Sequence, residues 1–338
     1  MDPANPSSFN HRSELLSTGR RYHFVDQIPS TYDATSTVTL LCVHGFPDLW
    51  YGWRYQIGPW VRKGYRVVVP DMLGYGQTDK PAEAAAYSSK RLCDDLAALL
   101  DSLDVPKAVI IGHDWGAFTV GRFSMWHPNR LLALVILAVP FMPPSGEYVP
   151  LEGIVKKVPN YGYQLYLADP RSTTEIEANL EFFLGLMHRK PHTGAGFTDA
   201  GRLRELVVGE KKANLKGSSV LSPAEFAYYM SQYRSMNGPL SYYRTTKYRF
   251  EEEKAGGLLR APRPDLPVMF MGGTEDPTCR PDALGLSKRA IPQLELRWLQ
   301  GLGHWVMIQA KEEVTEGIAE WLHGVLQRTP QIQLHSAL

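Results

Sequence analysis

Asp114 stands at the centre of Gly112-His113-Asp114-Trp115-Gly116-Ala117, directly after the apolar run Lys107-Ala-Val-Ile-Ile111. A small residue two places either side of a central one is the spacing of a sharp strand-to-helix turn, which in many hydrolases presents a serine. A carboxylate there has an ordinary pKa of about 4 and is already an anion at neutral pH, so it needs no base to become a nucleophile. Attack on an acyl carbon would give an anhydride, which resolves no more easily than the ester it came from. Displacement at an sp3 carbon is the better use of the position, because it leaves an ordinary ester between Asp114 and the substrate. Epoxides and alkyl halides are the two substrate classes that follow. No G-x-S-x-G occurs elsewhere in the chain, which removes the usual serine esterase.

Such an ester must then be hydrolysed, which calls for a base to activate water and for donors to hold charge on the aspartyl carbonyl oxygen. His304, in Gly301-Leu-Gly-His304-Trp-Val306, follows the last strand-like run, and Asp276, in Gly272-Gly-Thr-Glu-Asp276-Pro277, follows the one before it. Nucleophile, acid, histidine is the chain order of the fold class that uses this elbow, with the acid orienting the imidazole. Glu275 is the nearest competitor for the acid role. Val43-His-Gly-Phe-Pro-Asp48 follows the first central strand: Gly45 lets backbone approach the site, and the N–H of Phe46 is expected to join that of Trp115 in an oxyanion hole. Pro47 is a candidate for a cis peptide. His44 and His113 read as residues that orient these turns, and Asp71 and Asp79 as turn hydrogen-bonders.

These residues need a frame. Short, nearly continuous apolar runs recur between helical patterns: TVTLLCVHG, YRVVVPDM, AVIIGHD, LALVILAVP, LPVMFMGGTED and LELRWLQG. Runs of that kind form a parallel sheet covered on both faces. Ser88–Asp104 carries Leu92, Leu96, Leu99, Leu100 and Leu103 at helical spacing, completing a βαβ rhythm. The rhythm stops after Pro140 and resumes near Pro262. The interval holds two helical patterns, EIEANLEFFLGLMHRK and PAEFAYYMSQYRSM, and no convincing strand. The expected fold is α/β, a mostly parallel doubly wound sheet: core in 1–140 and 250–338, helical cap in 141–249. AGGLLRAPRPDLP reads as the linker back to the core and RTPQIQLHSAL as a poorly packed tail that lacks the peroxisomal S-K-L.

With 338 residues, 44% of them hydrophobic, the chain can bury a large core. Its 36 basic and 35 acidic residues balance to a net charge of +1, which argues against nucleic acid or an anionic membrane as partner and for a small molecule. The longest apolar run, Leu131–Val139, is too short for a transmembrane segment, and the polar N-terminus is not a secretory signal. Cys42, Cys93 and Cys279, an odd and scattered set, read as buried thiols of a cytoplasmic protein rather than disulfides or metal ligands. No metal and no organic cofactor is expected, and the oligomeric state is unreadable.

Taken together, HGFPD, DMLGYGQTD, GHDWG and GHWV resemble the α/β-hydrolase-fold epoxide hydrolases of the soluble type over nearly the whole chain after about Arg20. The resemblance implies Asp114 as nucleophile, Asp276 and His304 as acid and base, and two cap tyrosines that hydrogen-bond the epoxide oxygen. NYGYQLYLADP is similar to the family's first tyrosine motif and implies Tyr163; GPLSYYRTT is similar to the second and implies Tyr243, with Ser241 and Tyr242 where the family often has Asn and Trp. Tyr166 and Tyr242 are the fallbacks. Opening an epoxide creates an alkoxide that needs a proton donor, whereas halide leaves as a stable anion, so these tyrosines favour an epoxide and water as substrates over the haloalkane dehalogenase that shares the elbow. A non-catalytic ligand-binding protein on the same fold is the alternative from another class. Phe46, Pro47, Trp115, Tyr163 and Tyr243 are expected around the substrate. Trp50, Trp53, Phe182, Phe183 and Met187 join that pocket or the core. Neither a membrane anchor nor an additional N-terminal domain is read in the sequence, so a bare hydrolase unit is expected. Detoxification, catabolism and lipid signalling are all compatible with the chemistry.

Overall fold

A computed structural model describes residues 1–193, 196–210, 215, 217–279 and 281–328. Among the described residues eight strands form one sheet: β1 (His11–Leu15), β2 (Arg21–Gln27), β3 (Thr39–Val43), β4 (Arg66–Pro70), β5 (Ala108–His113), β6 (Leu131–Leu137), β7 (Val268–Gly273) and β8 (Glu295–Leu299). Their spatial order is β1-β2-β4-β3-β5-β6-β7-β8. The pairs β1–β2 and β2–β4 are antiparallel; every pair from β4 to β8 is parallel. The chain is an α/β protein with a mostly parallel sheet.

The central strands bury every residue, as runs covered on both faces must. Helices Arg54–Arg62 and Lys311–Arg328 pack together, with Trp60 Nε1 donating to Thr315 O at 3.0 Å. Ser89–Ser102 and Trp115–Trp126 form a second packed pair. The six runs singled out in the sequence are β3 to β8; β1 and β2 were not visible there. β2 hides its period because buried His23 and Asp26 interrupt it. Each is partnered by a residue distant in sequence: His23 Nδ1 pairs with Asp71 at 2.7 Å, and Asp26 with Arg66 at 2.8 Å.

Between β6 and β7 all named elements among the described residues are helical, from Leu151–Lys157 to Thr246–Ala255. The first of the two helical patterns is broken at Asn179 into Arg171–Glu177 and Leu180–Met187. The second starts at a Ser222 capping box, in which Glu225 Oε2 accepts from Ser222 N–H at 2.7 Å. The same Glu225 takes Nε and Nη2 of buried Arg54 at 2.8 and 2.6 Å, and Tyr229 and Tyr233 donate to Oδ1 and the carbonyl of Asp48 at 2.6 and 3.0 Å. These polar ties fasten the inserted helices to the core. Residues 329–338, most of the expected tail, lie outside the described residues.

The strand order reverses between β3 and β5, which opens a crevice beyond their carboxyl ends. HGFPD follows β3, and GHDWG spans the end of β5 and the start of the next helix. The chemistry-bearing motifs therefore meet at one place for a topological reason.

Candidate active site

Asp114 occupies φ 54, ψ −119, a conformation an L-residue adopts only when its surroundings over-determine it. The neighbours explain how. Gly116 lies so close to the strand next door that a Cβ would sit 2.2 Å from Val43 O, and a Cβ on Gly45 would sit 2.5 Å from Asp114 Cβ and Oδ1. The small residues of the motif are thus the room the elbow needs. Asp114 is 8% exposed, with its side chain lifted off the sheet.

Phe46 N–H donates to Asp114 Oδ1 at 2.7 Å, and the N–H of Trp115 also bonds the carboxylate. Burial pushes the Asp114 carboxyl up, while His304 and those two N–H groups favour its ionised form. His304 Nε2 lies 3.6 Å from the other oxygen, Oδ2, beyond good hydrogen-bond length. On its far side His304 Nδ1 meets Asp276 Oδ2 at 2.8 Å. Asp276 Oδ1 accepts from N–H and Oγ1 of Thr278 at 2.8 and 2.7 Å, so the whole carboxylate is held. Burial alone would raise Asp276, but His304 and Thr278 keep it below the usual carboxylate range. Burial also opposes charge on His304; Asp276 and Asp114 outweigh it and hold this imidazole at about 9.

His113, next to the elbow, bonds His304 O through Nε2 at 2.9 Å, and burial lowers its pKa to about 3, so it stays neutral. His44 bridges two loops, with Nε2 accepting from Met72 N–H and Nδ1 against Gly45 O, both at 2.9 Å. Asp71 accepts from Trp50 N–H and Gln77 N–H besides pairing with His23; Asp79 accepts from Arg21 N–H at 2.8 Å. Glu275 pairs with His192 at 2.9 Å and does not reach His304.

Two cavities, of about 350 and 320 Å³, share Asp114, Tyr163 and Thr278 as walls. The first is also lined by Phe46, Pro47, Met187, Tyr243 and His304, the second by Trp115 and Phe118. Tyr163 and Tyr243 are buried with ring centroids 6.5 Å apart, and Tyr243 packs edge-on against Phe46 and Trp115 at 5.0 and 5.1 Å. Burial first, then the charge of Asp114, raises the Tyr163 hydroxyl, which keeps it a proton-bearing donor. Tyr242 spends its hydroxyl on Leu73 O at 3.0 Å, and Tyr166 lines neither cavity. The peptide before Pro47 is cis.

Phe46, Trp115 and Met187 reach the cavities; Trp50, Trp53 and Phe183 are core, and Phe182 lines a separate surface groove. Thr278 was missed in the sequence, although a threonine two residues after an aspartate that ends a strand is the pattern of a side chain bonding its own turn. Gln164, whose Nε2 lies 3.3 Å from the Tyr163 hydroxyl, carried no such signal.

Residues 38–311 match the family described as the alpha/beta hydrolase fold. Epoxide hydrolase 3 of Siraitia grosvenorii is 30% identical over 86% of this chain and 92% of its own length. The chain belongs to the α/β-hydrolase-fold epoxide hydrolases. Bifunctional epoxide hydrolase 2 of Rattus norvegicus is 30% identical over 96% of this chain, which spans 57% of that relative. The crystal structure of epoxide hydrolase A from Mycobacterium thermoresistibile is similar with a TM-score of 0.78 and 28% identity, covering 94% of this chain and 98% of that one. No helix among the described residues is long and apolar enough to cross a membrane.

Proposed function

We propose that this chain hydrolyses epoxides to vicinal diols through a hydroxyalkyl ester on Asp114, with the inserted helices serving as a cap over the crevice. The observation that carries the reading is the convergence of an elbow carboxylate, held by two N–H donors, with two buried tyrosines on the walls of one cavity.

Asp114 Oδ2 is the attacking atom, because Oδ1 is occupied by Phe46 N–H. As the epoxide C–O bond breaks, Tyr163 and Tyr243 hydrogen-bond the oxygen and one of them delivers the proton. Alkylation removes the negative charge of Asp114, one of the groups that hold the His304 imidazole up at about 9. The imidazole then gives up its proton more readily, which balances the one the tyrosine delivered, and becomes the base for water, while Asp276 stabilises its charged form. Water, giving its proton to His304, attacks the ester carbonyl carbon, and the charge that develops on Oδ1 falls on the N–H groups of Phe46 and Trp115; the acyl C–Oδ2 bond then breaks, Oδ2 leaves with the proton returned by His304, and the diol departs from a restored carboxylate. The 3.6 Å gap between His304 and Oδ2 leaves the histidine turned toward the space in front of the carboxylate. Neither metal nor organic cofactor enters this scheme. The three free cysteines are buried, which suits a reducing compartment, and we place the protein in the cytoplasm.

The test is turnover of styrene-type, aliphatic and fatty-acid epoxides with chiral analysis of the products. Diol formation that Asp114→Ala abolishes supports the reading; halide release from bromoalkanes with no diol from any epoxide overturns it.

A further inference from the structure

Arg249, on helix Thr246–Ala255, lines the second cavity and faces it without a counter-ion. Its guanidinium carbon sits 4.7 Å from the ring centroid of Phe118 and 6.0 Å from that of Trp115. Among the described residues no carboxylate forms an ion pair with it. Glu253, one turn along the same helix, is taken by Arg122 Nε at 2.5 Å, and Arg122 Nη1 turns to Met142 O. Arg249 is half-buried; the buried arginines have partners, Arg54 with Glu225, Arg66 with Asp26 and Arg122 with Glu253. Burial, then the charge of Arg122, lowers Arg249 to about 10 against the smaller pull of Glu253, so it is cationic at neutral pH. A half-buried cation with aromatic rings beside it and no carboxylate partner gains from an anion that joins it in the cavity. Lys157 and Glu147, the other unpaired charged groups lining this arm, are exposed.

We propose that Arg249 receives an anionic group of the substrate, so that the preferred epoxides of this enzyme are epoxy acids whose carboxylate lies in the arm beside Trp115 and Phe118. This rests on the epoxide hydrolase reading above. The planar guanidinium offers a carboxylate two parallel N–H donors, and its carbon lies over the Phe118 ring, which helps to hold it in place. Trp115 lies 5.1 Å from Tyr243 and 6.0 Å from the guanidinium, centroid to centroid and centroid to carbon. The guanidinium carbon therefore lies no farther from the Tyr243 ring than the sum of those two steps, with aromatic walls along the path.

A terminal-oxirane epoxyhexanoate and its amide test this by kcat/KM. The wild-type enzyme should prefer the acid at least tenfold, the order expected of a charge-assisted pair. Arg249→Met, which keeps the stem against Phe118, should bring the ratio near unity. Arg189→Met, which alters the unpaired arginine of the first cavity, should leave it unchanged. Equal turnover of acid and amide by the wild type overturns the proposal, as does a preference that survives Arg249→Met or depends on Arg189. Calorimetry with hexanoate and hexanamide, neither of which reacts, reads the site without turnover. Tighter hexanoate binding that is lost in Arg249→Met sustains the anion site even if no epoxide is hydrolysed. Epoxide hydrolysis without any carboxylate preference sinks the anion site alone.

Discussion

Tyr163→Phe removes a hydroxyl from the place where epoxide opening would generate an alkoxide, and little else. Among the described residues that hydroxyl meets only Gln164 Nε2, at 3.3 Å, so its loss should change stability by less than about 1 kcal/mol. Deleting one preorganised donor from a site of developing negative charge costs roughly 2.7–4 kcal/mol when no other donor can replace it. Here Tyr243 remains, its ring 6.5 Å away, and both side chains are nearly excluded from solvent. The surviving donor should recover part of the loss. We therefore expect the smaller penalty of about 1.4–2.7 kcal/mol, a slowing of about 10- to 100-fold in ester formation. Tyr163→Phe/Tyr243→Phe should lose more than the product of the single effects, since the second deletion removes the compensating donor. The assay is rapid-quench single turnover with enzyme in excess, which separates formation of the ester from its hydrolysis. Hydrolysis of the ester should change by no more than a few-fold, because the tyrosines act on the leaving oxygen. Ester formation at the wild-type rate in Tyr163→Phe, or equal slowing of both steps, would refute this division of labour.

Other perturbations have distinct signatures. Asp276→Asn should lower the His304 pKa below about 9, read by NMR titration of the imidazole, and slow ester hydrolysis by about 10³-fold or more. Because the folded pKa of His304 is raised above its ordinary 6.5, the stability it contributes is fully present below pH 6.5 and is lost as pH rises through about 9; thermal melts across that window should show the decline in the wild type and a smaller one in Asp276→Asn. Gly116→Ala, whose new Cβ would meet Val43 O at 2.2 Å, should destabilise by about 4 kcal/mol or more or abolish soluble expression, measured by denaturant unfolding. Glu225→Ala leaves Arg54 buried without its carboxylate and breaks the Ser222 capping box, a loss of about 3–5 kcal/mol in the same assay.

How much of this was legible depended on whether the cause was local. β3 to β7 announce themselves as apolar runs because both faces of the sheet are covered. β2 does not, since His23 and Asp26 are made tolerable by Asp71 and Arg66, whose proximity is a property of the fold. The elbow was legible because its glycines answer to short-range crowding, and the order Asp114, Asp276, His304 followed from topology. The cap tyrosines were legible only through resemblance to a family: with 17 tyrosines in the chain, no spacing rule separates Tyr163 from Tyr166. Trp50 and Trp53, which the sequence leaves between pocket and core, are core, since a large aromatic near a site motif belongs equally well to either. Arg249 left no trace in the sequence, because lacking a counter-ion is a fact about its neighbours in space.

The ester at Asp114 is the intermediate on which the proposed chemistry depends. His304→Gln removes the base of the second step and should let that ester accumulate. Intact-protein mass spectrometry after addition of an epoxide should show the protein heavier by one substrate mass, with the addition mapping to the peptide that contains Asp114. A variant that still forms diol slowly while showing no adduct at any time, or an adduct on another residue, would contradict it.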